Sequence, residues 1–396
     1  MRSMFKFIAP LWISMVINTL LGITDFYFLE SINRNYLTVV GIAYIPFTLL
    51  SSLIVGIGIE ANRSTAKNNK LDFDKIVIAS IFISILVSFV SMFFSDYLLF
   101  FAHGNIVYTE IKEYFNILVF LLIPTSILYL CTGILRGEGI PQKSIYFNVS
   151  AVILNLVLDY LFIKFNWFGS PLKGCAYASI LSDFIVAILY IRYLKLYILN
   201  DVEKLHCVSL KVFLKNSFSY SLEKVFSASS LTLVSSIYIA KLDISASSIY
   251  YGIERFFMPI TMLSYCYFEW IIYSASKKIK NRRINNYIAY FLILIITLII
   301  VGLYMRLDGF SFIYGMIYVL YCLFFFIERE IVAIYFVEEK VNFINTVILA
   351  KNIILILCLQ MILIKNMLSI YSIGILQCII LVFECMFIFF YSNYKN

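Results

Sequence analysis

Charge is what this sequence has least of. Asp, Glu, Lys and Arg make up 14% of its 396 residues, while 62% are hydrophobic. A soluble domain carries nearer a quarter charged residues, so that class is excluded. Histidine is almost missing. His103 and His206 are remote loop residues, which excludes a histidine-based metal or catalytic centre. Eight cysteines occur, at 131, 175, 207, 266, 322, 358, 378 and 385, most of them inside apolar runs and none in a CxxC. They read as small packing residues, with no disulfide framework and no metal site. A membrane-embedded enzyme would need a nucleophile–base pair or a metal-binding carboxylate cluster at a membrane face. No loop carries DxxD or HxxxxD, so the chain is read as no enzyme, with no cofactor. The net charge of +8 is spread over short loops and forms no continuous patch, which excludes a nucleic-acid partner.

Long apolar runs are what is present. Twelve segments stand out: 7–29, 37–59, 76–101, 114–135, 145–165, 175–198, 212–239, 246–273, 286–305, 310–335, 343–364 and 369–391. Their lengths suit membrane helices of about 20 residues, not barrel strands of about 10. The first run follows Arg2 and Lys6, continues to about Leu29, and meets no small-x-small cleavage site. It is therefore read as a membrane helix and not as a signal peptide. A polar connection, Leu199 to Lys211, divides the spans into two sets of six. The expected organisation is an N-terminal lobe (1–198), a cytoplasmic linker (199–211) and a C-terminal lobe (212–396). PFTLL (Pro46–Leu50) and PITML (Pro259–Leu263), each after a Gly-Ile pair, hint at an internal repeat, as transporters often have.

Lys and Arg concentrate in the loops after even-numbered spans. Arg63, Lys67, Lys70 and Lys75 are one group; Lys277, Lys278, Lys280, Arg282 and Arg283 are another. The positive-inside rule then places both termini in the cytoplasm.

The most informative stretch is Leu135–Asp159. A Gly/Pro-punctuated polar turn leads into an apolar helix with Asn148, Asn155 and Asp159 on one stripe, since residues four and seven apart share a helix face. A carboxylate inside a hydrocarbon-spanning segment costs about 2.5–3.5 kcal/mol on insertion scales, which marks a functional site facing the protein interior. The first span supplies a partner. Ser14, Asn18 and Asp25 share a face there, and Pro10 loosens the helix by removing an N–H. If Asp25 and Asp159 meet in low dielectric, they repel unless a proton or a cation sits between them. Further acidic groups lie in later spans: Asp183, Glu223, Glu254, Glu269, Glu328, Glu330 and Glu384. Glu223 and Glu269 are the second-lobe candidates. Glu328 and Glu330 flank Arg329 near a span end and read as solvated. Among 30 Tyr and 37 Phe, Tyr114 is singled out as a cavity residue for an amphipathic or cationic ligand. An interfacial Tyr is the equal alternative.

These residues resemble the multidrug and toxic compound extrusion (MATE) family, within the superfamily that includes lipid-linked oligosaccharide flippases. The resemblance rests on Ala9–Pro10 with TDFYFL (Thr24–Leu29), LRGEG (Leu135–Gly139), NLVLDYLFI (Asn155–Ile163) and GCAYAS (Gly174–Ser179). It implies an all-α polytopic membrane protein, with twelve transmembrane helices in two pseudo-symmetric six-helix bundles around a central cleft. It also implies export by alternating access driven by H⁺ or Na⁺. On the family's first-lobe site it places Asp25, Asn155, Asp159 and Ser179, with Tyr114 nearby and Glu223 at a second-lobe cation position. The expected protein is a monomeric multi-pass exporter of the plasma membrane, moving an organic small molecule or amphipathic solute across the lipid bilayer. The alternative function is a flippase for a lipid-linked oligosaccharide or lipid.

Overall fold

Backbone groups cannot be left unpaired in hydrocarbon, so long apolar runs become helices. The structure, a computed structural model, describes residues 2–30, 32–33, 35–103, 107–197, 206–228, 244–279 and 312–394. Among these, the helices are α1 (Arg2–Glu30), α2 (Asn35–Ala66), α3 (Phe73–Phe93), α4 (Ser95–Leu98), α5 (Tyr108–Leu118), α6 (Leu122–Glu138), α7 (Lys143–Lys164) and α8 (Pro171–Tyr197). They continue with α9 (Leu210–Ala228), α10 (Ile244–Ser276), α11 (Phe312–Val337), α12 (Val341–Ile364) and α13 (Ile370–Tyr394). Two two-residue strands, β1 (Asn69–Lys70) and β2 (His206–Cys207), pair in parallel. Seven of the described helical stretches are long and apolar enough to cross a membrane. The all-α polytopic reading holds. The ninth expected span (286–305), linker residues 199–205 and the end of the seventh span lie outside the described residues.

The chain divides into two compact units. The first is Ala9–Val225; the second combines Met1–Ile8 with Phe226–Asn396. Residues 212–225, which the sequence reading gives to the C-terminal lobe, thus pack in the first unit. There the Gly56 amide donates to Ser221 Oγ at 3.1 Å. The start of α1 packs in the second unit, with Phe7 stacked on Tyr273 and edge-on to Trp270.

On one helix of the first unit, α3, the buried face is mostly polar and the exposed face apolar. Ser80, Ser84, Ser88 and Ser91 are buried, while Ile78, Phe82, Leu86 and Phe93 are exposed. Lipid solvates the apolar face, so association rests on close packing and interhelical hydrogen bonds. Ser88 Oγ donates to the Val119 carbonyl at 2.7 Å. That carbonyl lies in the 3₁₀ turn Val119–Leu121 that joins α5 to α6. The turn has a cause: Pro124 has no N–H for the Phe120 carbonyl, and its ring crowds that carbonyl.

Where α2 crosses α6, glycine is required. A Cβ on Gly133 would stand 2.2 Å from the Gly58 carbonyl oxygen, and one on Gly137 would stand 2.6 Å from the Asn62 oxygen. Gly133 and Gly137 form a GxxxG pair, which lets two backbones touch. The LRGEG stretch is correspondingly no turn through Glu138. It is the last turn of α6, ended by Gly139 in the left-handed conformation (φ 82°). Glycine adopts that cap at the least steric cost.

Candidate functional site

The site is built where α1, α7 and α8 meet in the first unit. On α7 the buried positions are Ser144, Ala151, Asn155, Asp159 and Phe162, a stripe at helical spacing. The opposite side exposes Tyr146, Val149, Ile153, Leu156, Val157 and Tyr160. The polar stripe of α7 therefore faces the protein, as the cost of a carboxylate in lipid requires. Toward the other end of the helix, Asn148 Nδ2 donates to Ser14 Oγ at 2.6 Å and to the Ser14 carbonyl at 3.2 Å. This bond docks α7 on α1, three turns of helix before Asp25. α8 returns beside α7 closely enough that a Cβ on Gly174 would meet the Phe162 backbone at 3.2 Å. That approach delivers Cys175 and Ser179, one turn apart on α8, to the stripe.

Asp25, Asn155, Asp159 and Ser179 are thereby brought together. Asp25 is 3% exposed, and Asn155 and Asp159 are fully buried. Asp25 is thus no solvated residue at a helix end. Oriented for its neighbours, the Asn155 amide nitrogen donates to Asp25 Oδ1 at 3.1 Å and to Asp159 Oδ2 at 3.2 Å. Its oxygen then accepts from Ser179 Oγ at 3.3 Å. Ser179 Oγ is also 3.3 Å from Asp25 Oδ2, so its one proton serves two acceptors in turn. Asp159 Oδ1 is buried and has no hydrogen-bond partner among the described residues.

An oxygen of Asp25, an oxygen of Asp159 and Cys175 Sγ all lie within 4.8 Å of one another. Two unit charges at that separation repel by about 3.5 kcal/mol at an effective dielectric of about 20. The arrangement can hold a proton or a cation, and occupancy changes the charge of the site by one.

Of the other sequence candidates, Tyr114 on α5 is buried in the apolar core of the first unit, 1% exposed, and so is no interfacial tyrosine. Pro10 lies within α1. The Asn18 side chain lies outside the described residues, as does that of Glu254. Glu223 is fully buried and ion-pairs its neighbour Lys224 at 3.2 Å, although adjacent helix positions point about 100° apart. Glu269 is buried on α10 of the second unit.

Two features escape the sequence reading. Glu328 and Arg329 are not solvated: they are 0% and 1% exposed and ion-paired to each other. Arg329 also donates to Ser227 Oγ at 3.2 Å and lies over the Phe325 ring. Close by, Lys351 on α12 pairs with buried Glu384 at 2.8 Å. Both cations line one cavity of the second unit with Gln377 and Tyr321. The signal that could reveal this cluster is a lysine in the middle of an apolar span. The second feature is Cys175, whose sulfur reads as packing from sequence alone.

The MatE family model matches residues 10–161, which hold Asp25, Asn155 and Asp159. Comparison with curated proteins finds no match. Among solved structures the chain is similar to a MATE in the bent conformation, at 17% identity over 99% of this chain and 94% of that one, TM-score 0.79. It is similar to an outward-facing multidrug resistance MATE family transporter of the MOP superfamily, at 16% identity over 99% and 95%, TM-score 0.76. A MOP superfamily transporter from Pyrococcus furiosus is similar at 15% identity over 99% and 95%, TM-score 0.76. This chain is a multi-pass membrane protein with the fold of the MATE transporters, and its residues 10–161 match the MatE family.

Proposed function

We propose that this protein is a secondary active transporter that exports an organic solute by alternating access, in antiport with H⁺ or Na⁺. One observation carries the reading: two buried carboxylates, Asp25 and Asp159, share the Asn155 amide inside membrane-spanning helices. Such a pair has no structural need to exist, since apolar residues would pack there at lower cost. It does have a use in coupling. Binding one cation changes the charge that the first unit carries, and so can change which conformation is favoured. One charge moving through 100 mV releases about 2.3 kcal/mol, which sustains a roughly fiftyfold solute gradient. In this reading the protein works in the plasma membrane as a monomer, with both termini cytoplasmic.

The alternative is a flippase for a lipid-linked oligosaccharide, which would need cationic groups to meet its pyrophosphate. Buried Arg329 and half-buried Lys351 are each already paired with a carboxylate, which favours the solute exporter over the flippase.

The test is transport in vesicles holding the purified protein, with ΔpH or ΔNa⁺ imposed separately and a panel of amphipathic, cationic and neutral solutes. At least one solute is expected to accumulate against its gradient under one of the two ion gradients and under neither control. Equal flux with and without both gradients would rule out antiport.

A further inference from the structure

We propose that Cys175 makes the Asp25–Asp159 site a mixed oxygen–sulfur site, which takes a thiophilic divalent cation of the Zn²⁺ and Cd²⁺ class. This rests on reading the two carboxylates as a cation site, and adds a ligand that the carboxylates alone do not supply. Three observations support it. Cys175 is fully buried and one turn before Ser179 on the same face of α8. Its Sγ and one oxygen of each aspartate lie within 4.8 Å of one another, so a single ion can touch all three. Asp159 Oδ1 is buried without a hydrogen-bond partner among the described residues, which leaves a strong ligand atom unused.

Donor chemistry then selects the ion. Carboxylate and amide oxygens alone suit Na⁺, Mg²⁺ or Ca²⁺, whereas a thiolate shifts preference toward Zn²⁺ and its heavier relatives. The thiolate is the ligand, so binding releases the Cys175 proton to solvent and forms a metal–sulfur bond with no change of oxidation state. The charge balance is the same for each occupant. Two carboxylates with H⁺ or Na⁺ carry a net charge of −1. Two carboxylates and a thiolate with a divalent ion also carry −1. A thiophilic ion can therefore replace the coupling cation with no change in the net charge of the site, and it would hold the site in its occupied state.

The experiment is a Cd²⁺ titration of the purified full-length protein in detergent, read by the ultraviolet absorption of the cadmium–thiolate bond. Zn²⁺ serves as the competitor. Wild type is expected to develop the absorption at one equivalent of Cd²⁺ and to lose it to Zn²⁺. Cys175→Ser should lose the absorption and bind Cd²⁺ at least about 10–100-fold more weakly, the range seen even for outer partners of a metal site. Asp159→Asn keeps the thiol but lacks a carboxylate, and should weaken binding by a similar factor. It separates ligand loss from general thiol reactivity if the serine variant folds poorly. No absorption in wild type, or equal absorption in Cys175→Ser, would overturn the sulfur ligand. Should that happen while Asp159→Asn still uncouples transport, the cation-site reading stands without it. Asp159→Asn protein that couples normally would remove both.

Discussion

Gly133→Val should leave almost no folded protein in the membrane fraction. A methyl-sized group at this position would stand 2.2 Å from the Gly58 carbonyl oxygen and 2.9 Å from the Gly58 Cα. Contact below about 3 Å between carbon and backbone forces one helix to move, and here the obstacle is backbone, with no rotamer to swing aside. Ordinary overpacking costs about 1–3 kcal/mol where side chains can adjust; this substitution should exceed that range. The displaced helix also carries Gly137, whose Cβ would be 2.6 Å from the Asn62 oxygen, so a shift to relieve one contact disturbs the next. Gly133→Ala should fold with a lower apparent melting temperature. Gly41→Ala serves as control, because nothing lies within 4 Å of the place its methyl group would take. Detergent-extracted, monodisperse protein and its thermal transition are the measurements. Wild-type yield from Gly133→Val would show that α2 and α6 do not meet as described.

Glu60→Ala has the next largest expected effect. Glu60 and Arg63 are 0% and 4% exposed near the end of α2. Arg63 Nε donates to Glu60 Oε2 at 2.8 Å and Nη2 donates to Oε1 at 3.0 Å. Ser64 Oγ and Asn216 Nδ2 donate to the same Oε1 at 2.8 and 3.3 Å, and the guanidinium lies 5.9 Å from the Tyr220 ring centroid. Removing one partner of a buried ion pair strands the other, at about 3–5 kcal/mol. Removing both leaves no uncompensated charge, and only the Ser64 and Asn216 donors lose their acceptor. Glu60→Ala should therefore lower the apparent melting temperature strongly, while Glu60→Ala combined with Arg63→Met should recover much of the loss. A double variant as unstable as the single one would show that the pair contributes packing more than charge balance.

The sequence discloses these elements unevenly, for physical reasons. Spans are legible because about 20 apolar residues in a row have one solution in lipid, and α7, α8, α12 and α13 begin and end within a few residues of their expected limits. Asp25 and Asp159 are legible because a carboxylate in such a run is costly and needs a reason. Cys175 is not, since a thiol reads as apolar until its neighbours are known. Glu328 and Arg329 mislead because charge near a span end is ordinarily solvated, whereas here it is neutralised within the fold. Lys351 carries a signal that hydropathy averaging over a long apolar span conceals. Pro124 announces a break such as the 3₁₀ turn at Val119–Leu121, but a single proline does not say that Ser88 will donate to a carbonyl there.

Coupling through Asp25 and Asp159 is tested most directly by measuring two fluxes of one solute in the same vesicles. The first is uphill accumulation under an imposed H⁺ or Na⁺ gradient; the second is exchange of labelled for unlabelled solute with no ion gradient. In Asp159→Asn the amide is isosteric with the carboxylate it replaces, so the helix packing around Asn155 is kept while one charge is lost. Uphill accumulation should fall to the level of empty vesicles, and its dependence on pH or Na⁺ should vanish, with solute exchange retained. Accumulation by Asp159→Asn at the wild-type level, with the same dependence on the driving ion, would contradict the account.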